Sequence, residues 1–132
     1  MKIFITIFIT LLMVSAKGQK SLDCLLLQAA IETEQFTSTF YACKDSLEIH
    51  IVDTVKYFEN CILKDVCGKR VVFTHEPMDV NTKRMIEVYR ISKRGNVFSL
   101  YFHRPFTGAV LILKLKYKNG KTKLIAFETG AF

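Results

Sequence analysis

The chain has no run of about 20 apolar residues, the length that spans the hydrocarbon core of a bilayer, so no segment reads as a transmembrane helix. It has no Asn-x-Ser/Thr sequon, because Asn60, Asn81, Asn96 and Asn119 all lack a hydroxyl residue two places on. Also missing are Cys-x-x-Cys, His-Glu-x-x-His, Gly-x-Ser-x-Gly, a phosphate-binding loop and carboxylates at calcium spacing. These absences remove the familiar redox, zinc-protease, hydrolase, nucleotide and calcium readings. On sequence we therefore assign no catalytic residue, no metal ligand and no cofactor. Catalysis without a local motif stays open. No internal repeat or low-complexity segment occurs.

What the chain does have begins at its first residue. Met1 and Lys2 form a short positive start, Ile3 to Val14 is an unbroken apolar or hydroxyl run, and Val14-Ser15-Ala16 supplies small residues. This is the three-part layout of a secretory signal. Residues 1–16 are expected to be removed. Ala16-Lys17-Gly18 fits the same small-x-small rule and would move the cut to residue 18, leaving Gln19 first. An uncleaved anchor is disfavoured by the short run and by Lys17 and Lys20 behind it. Lipidation at Cys24 is disfavoured because Ser21-Leu22-Asp23 precedes it beyond those lysines. The expectation is a secreted or periplasmic protein whose residues 17–132 form a single exported domain, long enough for one hydrophobic core.

Lys and Arg total 19 against 12 Asp and Glu; without Lys2 the exported part keeps a formal charge of +6. A basic balance favours anionic partners through encounter rates, and says nothing of fold. All four cysteines, Cys24, Cys43, Cys61 and Cys67, lie behind the leader, and an exporting compartment lets disulfides persist. Three connectivities are open. We expect the local one, Cys24 with Cys43 and Cys61 with Cys67, because it closes the shorter loops. Cys61-x5-Cys67 has neither redox nor zinc-knuckle spacing.

Leu22, Leu25, Leu26, Ala29, Thr33, Phe36 and Phe40 recur at helical spacing, predicting an amphipathic helix that Ser21 caps and that ends between Gln35 and Tyr41. Asp23 places a negative charge in its first turn. Leu47, Ile49 and Ile51 alternate with polar residues as in a half-buried strand. Asp53-Thr54 is set to cap a short helix through Val55, Phe58 and Cys61. After a turn at Cys67-Gly68, Arg70 to Thr74 reads as a strand and His75 to Arg84 as a loop.

Four consecutive strands are then predicted: Met85 to Ile91, Val97 to His103, Ala109 to Lys118 and Lys121 to Thr129. Asn119-Gly120 is the strongest turn signal, since a two-residue type I′ turn requires positive φ at both places. Counting back from it, Lys118 faces Lys121, Tyr117 faces Thr122, Lys116 faces Lys123, Leu115 faces Leu124 and Ile112 faces Phe127. One face then carries Leu111, Leu113, Leu115, Leu124 and Ala126. The other carries Lys114, Lys116, Lys118, Lys121 and Lys123 toward the tip, and Val110, Ile112, Ile125 and Phe127 toward the base. The expected fold is α+β: an N-terminal helix on a curved, mostly antiparallel sheet of about five to six strands. A cystatin-like or nuclear-transport-factor (NTF2)-like arrangement satisfies this order, an analogy that transfers no function.

Like charges directly opposite one another weaken a sheet, so five lysines on one hairpin face call for an explanation. The plainer one is a solvated face that keeps the hairpin soluble. The sharper one is an anionic partner: an acidic protein, an acidic glycan or an anionic membrane surface. Nucleic acid is not expected, because no aromatic residues are visibly interleaved with the lysines. We read the domain as a non-catalytic exported binding module, of inhibitor or immunity type, using these lysines. Two alternatives remain. One is a small enzyme or ligand carrier with His50, His103 or Tyr101 on a pocket wall between helix and sheet. The other is a structural homodimer joined through the apolar base. His103-Arg104 and His75-Glu76 are the only places where a histidine adjoins a charged residue.

Overall fold

The structure, a computed structural model, describes residues 22–44, 48–76 and 85–131. The expected leader with both cleavage sites, the Ser21 cap, Leu47 and residues 77–84 of the predicted loop lie outside the described residues.

Six strands form one sheet: β1 (Glu48–Val52), β2 (Arg70–Thr74), β3 (Met85–Arg94), β4 (Val97–Arg104), β5 (Ala109–Lys118) and β6 (Lys121–Ala131). Their order is β2-β1-β3-β4-β5-β6. β1 runs parallel to both neighbours, and β3 to β6 make the antiparallel meander. The class is α+β with a mixed, mostly antiparallel open sheet, as the element order led us to expect.

The β5–β6 turn has Asn119 at φ 54° and Gly120 at φ 75°, the left-handed pair that a type I′ turn needs. It sets the predicted register from Lys118↔Lys121 to Leu115↔Leu124. Beyond that the register shifts: Lys114 meets Ala126, Leu113 meets Phe127 and Ile112 meets Glu128 rather than Phe127. Ile125 is the extra residue of a β-bulge, and one inserted residue exchanges the faces of everything after it. Ala126 is therefore exposed, away from the core.

The N-terminal helix is two helices, α1 (residues 22–31) and α2 (Glu34–Thr39). Thr33, read in the sequence as one of the helical stripe, is extended, and its hydroxyl accepts the Phe36 N–H at 3.2 Å. That bond caps α2 and ends α1. The buried side of α1 is Leu26, Leu27, Ala30 and Ile31, while Leu25 stands exposed. The segment holds more apolar residues than one face can cover, so spacing alone left the face ambiguous. Phe36 packs edge-on against Phe40 at 5.2 Å and Phe102 at 5.1 Å, joining α2 to β4.

No helix follows Asp53. Its carboxylate, fully buried, accepts the N–H groups of Tyr57 at 3.1 Å and Phe58 at 2.8 Å. Reaching four and five residues on, rather than two or three, it wraps a loop in which Lys56 sits at φ 58°. This loop is fastened to the helices. Gln28 of α1 accepts the Lys64 N–H at 2.6 Å and donates to the Lys64 carbonyl at 3.3 Å. The disulfides are Cys24–Cys61 and Cys43–Cys67, not the local pairs expected from loop length. The second sits in a turn where Cys67 and Gly68 both have positive φ, closed by paired Val66–Lys69 hydrogen bonds of 2.8 and 2.9 Å.

The bridges span 37 and 24 residues, and on a chain-entropy basis each contributes about 3 to 4 kcal/mol. Peptide mapping without reductant is expected to recover Cys24 linked to Cys61. The double substitution Cys24→Ser, Cys61→Ser is expected to lower the unfolding free energy by about that amount in a denaturant titration. A Cys24–Cys43 peptide would contradict the fold. Asp53→Ala strands the buried Phe58 N–H and the part-buried Tyr57 N–H and is expected to lower stability by about 1 to 3 kcal/mol in the same titration.

Candidate functional site

β5 defines the site by its alternation. Leu111, Leu113 and Leu115 are buried beneath the helical layer, so Lys114, Lys116 and Lys118 between them point the other way. Lys121 and Lys123 lie directly opposite Lys118 and Lys116, on that same outward face. All five are exposed, and among the described residues none of them forms an ion pair. The ion pair found among the described residues is Arg70–Glu48 at 4.0 Å, and the His75 Nε2 lies 3.9 Å from the Asp53 carboxylate, both on other elements.

The meander extends this face beyond the hairpin. Lys114 and Lys116 pair across to Ser99 and Val97 of β4, and Val97 pairs in turn with Arg94 of β3. Arg90 lies opposite Tyr101 on the same side, its guanidinium 5.2 Å from the ring centre. Sequence reasoning missed Arg90 and Arg94 because it counted register from one turn only; the Arg94-Gly95-Asn96 signal would have placed both. Among the described residues of the meander, the acidic ones on this face are Glu87, opposite His103, and Glu128, opposite Ile112.

Aromatic residues do share the face, contrary to their apparent separation from the lysines in sequence. Tyr89, at a bulge in β3, meets Tyr101 at 5.9 Å and His103 at 6.2 Å, both edge-to-face. Burial pushes the Tyr89 phenol above its usual value, Tyr101 adds to this, and Arg90 opposes it. These rings pack on one another and on Arg90, and all three are only partly exposed. They make a half-covered cluster, not a ladder of free stacking surfaces.

The remaining candidates separate. His103 and Arg104 point to opposite faces, and Arg104 is buried with its guanidinium 5.8 Å from the Phe40 ring. The His75 Nε2 donates to the Phe58 carbonyl at 2.7 Å, so it braces the Asp53 loop. His50 is buried on β1 between Val72 and Met85, its Nδ1 without a hydrogen-bond partner among the described residues. His50, Tyr101 and His103 alternate with core residues and so line no pocket between helix and sheet; Phe36, Phe40 and Phe102 fill that space. All four cysteines are bridged, leaving no thiol nucleophile. Among the described residues no group of three or more His, Cys, Asp or Glu side chains is placed to hold a metal ion.

The apolar base divides as well. Val110 and Ile112 stay on the lysine face, half-buried, whereas the bulge carries Phe127 to the helical side. There a cleft of about 420 Å³ opens between α2 and β6, lined by Glu34, Gln35, Ser38, Thr39, Phe127 and Thr129.

Comparison of the chain with protein-family models, with curated proteins and with solved structures finds no match.

Because the fold holds the Tyr89 proton more tightly than the unfolded chain does, its contribution to stability is full below the unfolded pKa of about 10. It is lost as pH rises through the higher folded value. The unfolding free energy of the Tyr89→Phe variant is therefore expected to fall less between about pH 9 and pH 11 than that of the native chain.

Proposed function

We propose that this is an exported, non-catalytic binding module that meets an acidic partner protein through Lys114, Lys116, Lys118, Lys121 and Lys123. The observation that carries the reading is the pair of direct lysine oppositions, Lys116↔Lys123 and Lys118↔Lys121, on an exposed face without a carboxylate partner among the described residues. Each opposition works against the hairpin by a few tenths of a kcal/mol up to about 1 kcal/mol. A solvated surface needs charge, but it does not need like charges stacked at adjacent rungs. A carboxylate-rich partner turns that repulsion into attraction and gains from steering by Arg90 and Arg94 on the same face. Export is supported by the leader-like residues 1–16 and by the pairing of every cysteine in a disulfide. No helix among the described residues is long and apolar enough to cross a membrane.

Two variants of equal charge test this reading. In one, the five hairpin lysines become Gln; in the other, Lys20, Lys44, Lys56, Lys64 and Lys69 do. On immobilised poly-L-glutamate, the hairpin variant is expected to elute at clearly lower salt than the other, although their net charges match. Its denaturant midpoint is expected to equal or exceed that of the native chain, since repulsion has been removed. Identical elution of the two variants would reject the lysine face as a site.

A further inference from the structure

β6 is the last strand of the sheet, paired with β5 on one side, and among the described residues no strand pairs with its other side. Over Lys121–Ala131 it therefore offers alternate backbone N–H and C=O groups to an added strand. The two flanks of this edge differ in chemistry. On the helical side lies the cleft beside α2, with Phe127 51% and Ile125 47% exposed along it. On the other side stand Lys121 and Lys123 toward the turn, with Lys116 and Lys118 behind them, followed by Ala126 and Glu128 toward the far end of the strand. The bulge at Ile125 creates this division, because it turns Phe127 toward the cleft while Lys123 stays on the open face.

We infer that β6 takes up an extended segment of the acidic partner as a seventh strand, whose side chains alternate between apolar ones entering the α2–β6 cleft and carboxylates reaching the lysines. This rests on the proposed function and specifies the chemistry of its partner. Period-two alternation presents a strand's residues to both flanks at once, so main-chain hydrogen bonds supply affinity and the flanks supply selectivity. A second copy of this chain matches the edge poorly. Its β6 brings a single carboxylate, Glu128, and both copies carry net positive charge.

The test uses the oxidised protein and two labelled octapeptides of identical composition, one alternating Val and Glu, the other with four Val followed by four Glu. Fluorescence anisotropy is expected to show the alternating peptide bound at least about tenfold more tightly. Hydrogen exchange is expected to show new protection at alternate amides of β6. Phe127→Ser is expected to weaken the alternating peptide by about tenfold and to leave the block peptide unchanged. Equal affinity for both peptides without added protection would overturn the strand inference while leaving the lysine face standing. Binding of neither peptide, together with matched elution of the two charge variants from poly-L-glutamate, would overturn both. Concentration-dependent protection of β6 without any peptide would assign the edge to a second copy and overturn the inference.

Discussion

Val88, Leu100, Phe102, Leu111 and Leu113, the side chains of β3, β4 and β5 that face the helices, are wholly withdrawn from water. Burial of each is worth about 1.5 to 3 kcal/mol, and together they fix which way every strand of the meander faces. That single-sided burial is the constraint on which the rest depends. With Leu111, Leu113 and Leu115 committed to the core, Lys114 and Lys116 have only the opposite face to occupy, and the I′ turn then stacks Lys121 and Lys123 against their neighbours. The helical layer is held over the core by the crossed bridges Cys24–Cys61 and Cys43–Cys67 and by Gln28 on Lys64. Both bridges lie on the helical side, where they leave the lysine face clear.

The functional reading comes from the parts of this fold that work against it. A hairpin could keep its leucines and carry Thr or Glu where it carries opposed lysines. Its edge strand could be short or interrupted by proline, and β6 is neither. The extended acidic segment proposed above would suit both features, the opposed cations and an edge with which no described strand pairs. The bulge at Ile125 gives that edge its two unlike flanks.

Elements whose signal is local were legible in the sequence. Asn119-Gly120 can hardly be anything but a hairpin turn, and it set the first four rungs of the register. The strands and the lysine face followed from period-two alternation. What escaped depended on contacts distant in sequence. Leu124-Ile125-Ala126-Phe127 is apolar throughout, so nothing local marks which residue is extra, and Ile112 was matched to Phe127 instead of Glu128. Thr33 suits a helical stripe and a cap equally well; the packing of Phe36 on Phe102 decided for the cap. Loop length favoured local disulfides, but the loop after Asp53 folds back on α1 and brings Cys61 to Cys24. Arg90 and Arg94 joined the face only once β3 had been placed beside β4.

Lysine acylation footprinting read by mass spectrometry, with and without an excess of proteins from the source cell's exported fraction, tests the central claim most directly. Lys114, Lys116, Lys118, Lys121 and Lys123 are predicted to react readily in the free protein and to become protected together in the presence of that fraction, while Lys44, Lys56 and Lys64 keep their reactivity. Protection spread evenly over all lysines, or confined to those outside β5 and β6, would contradict the account.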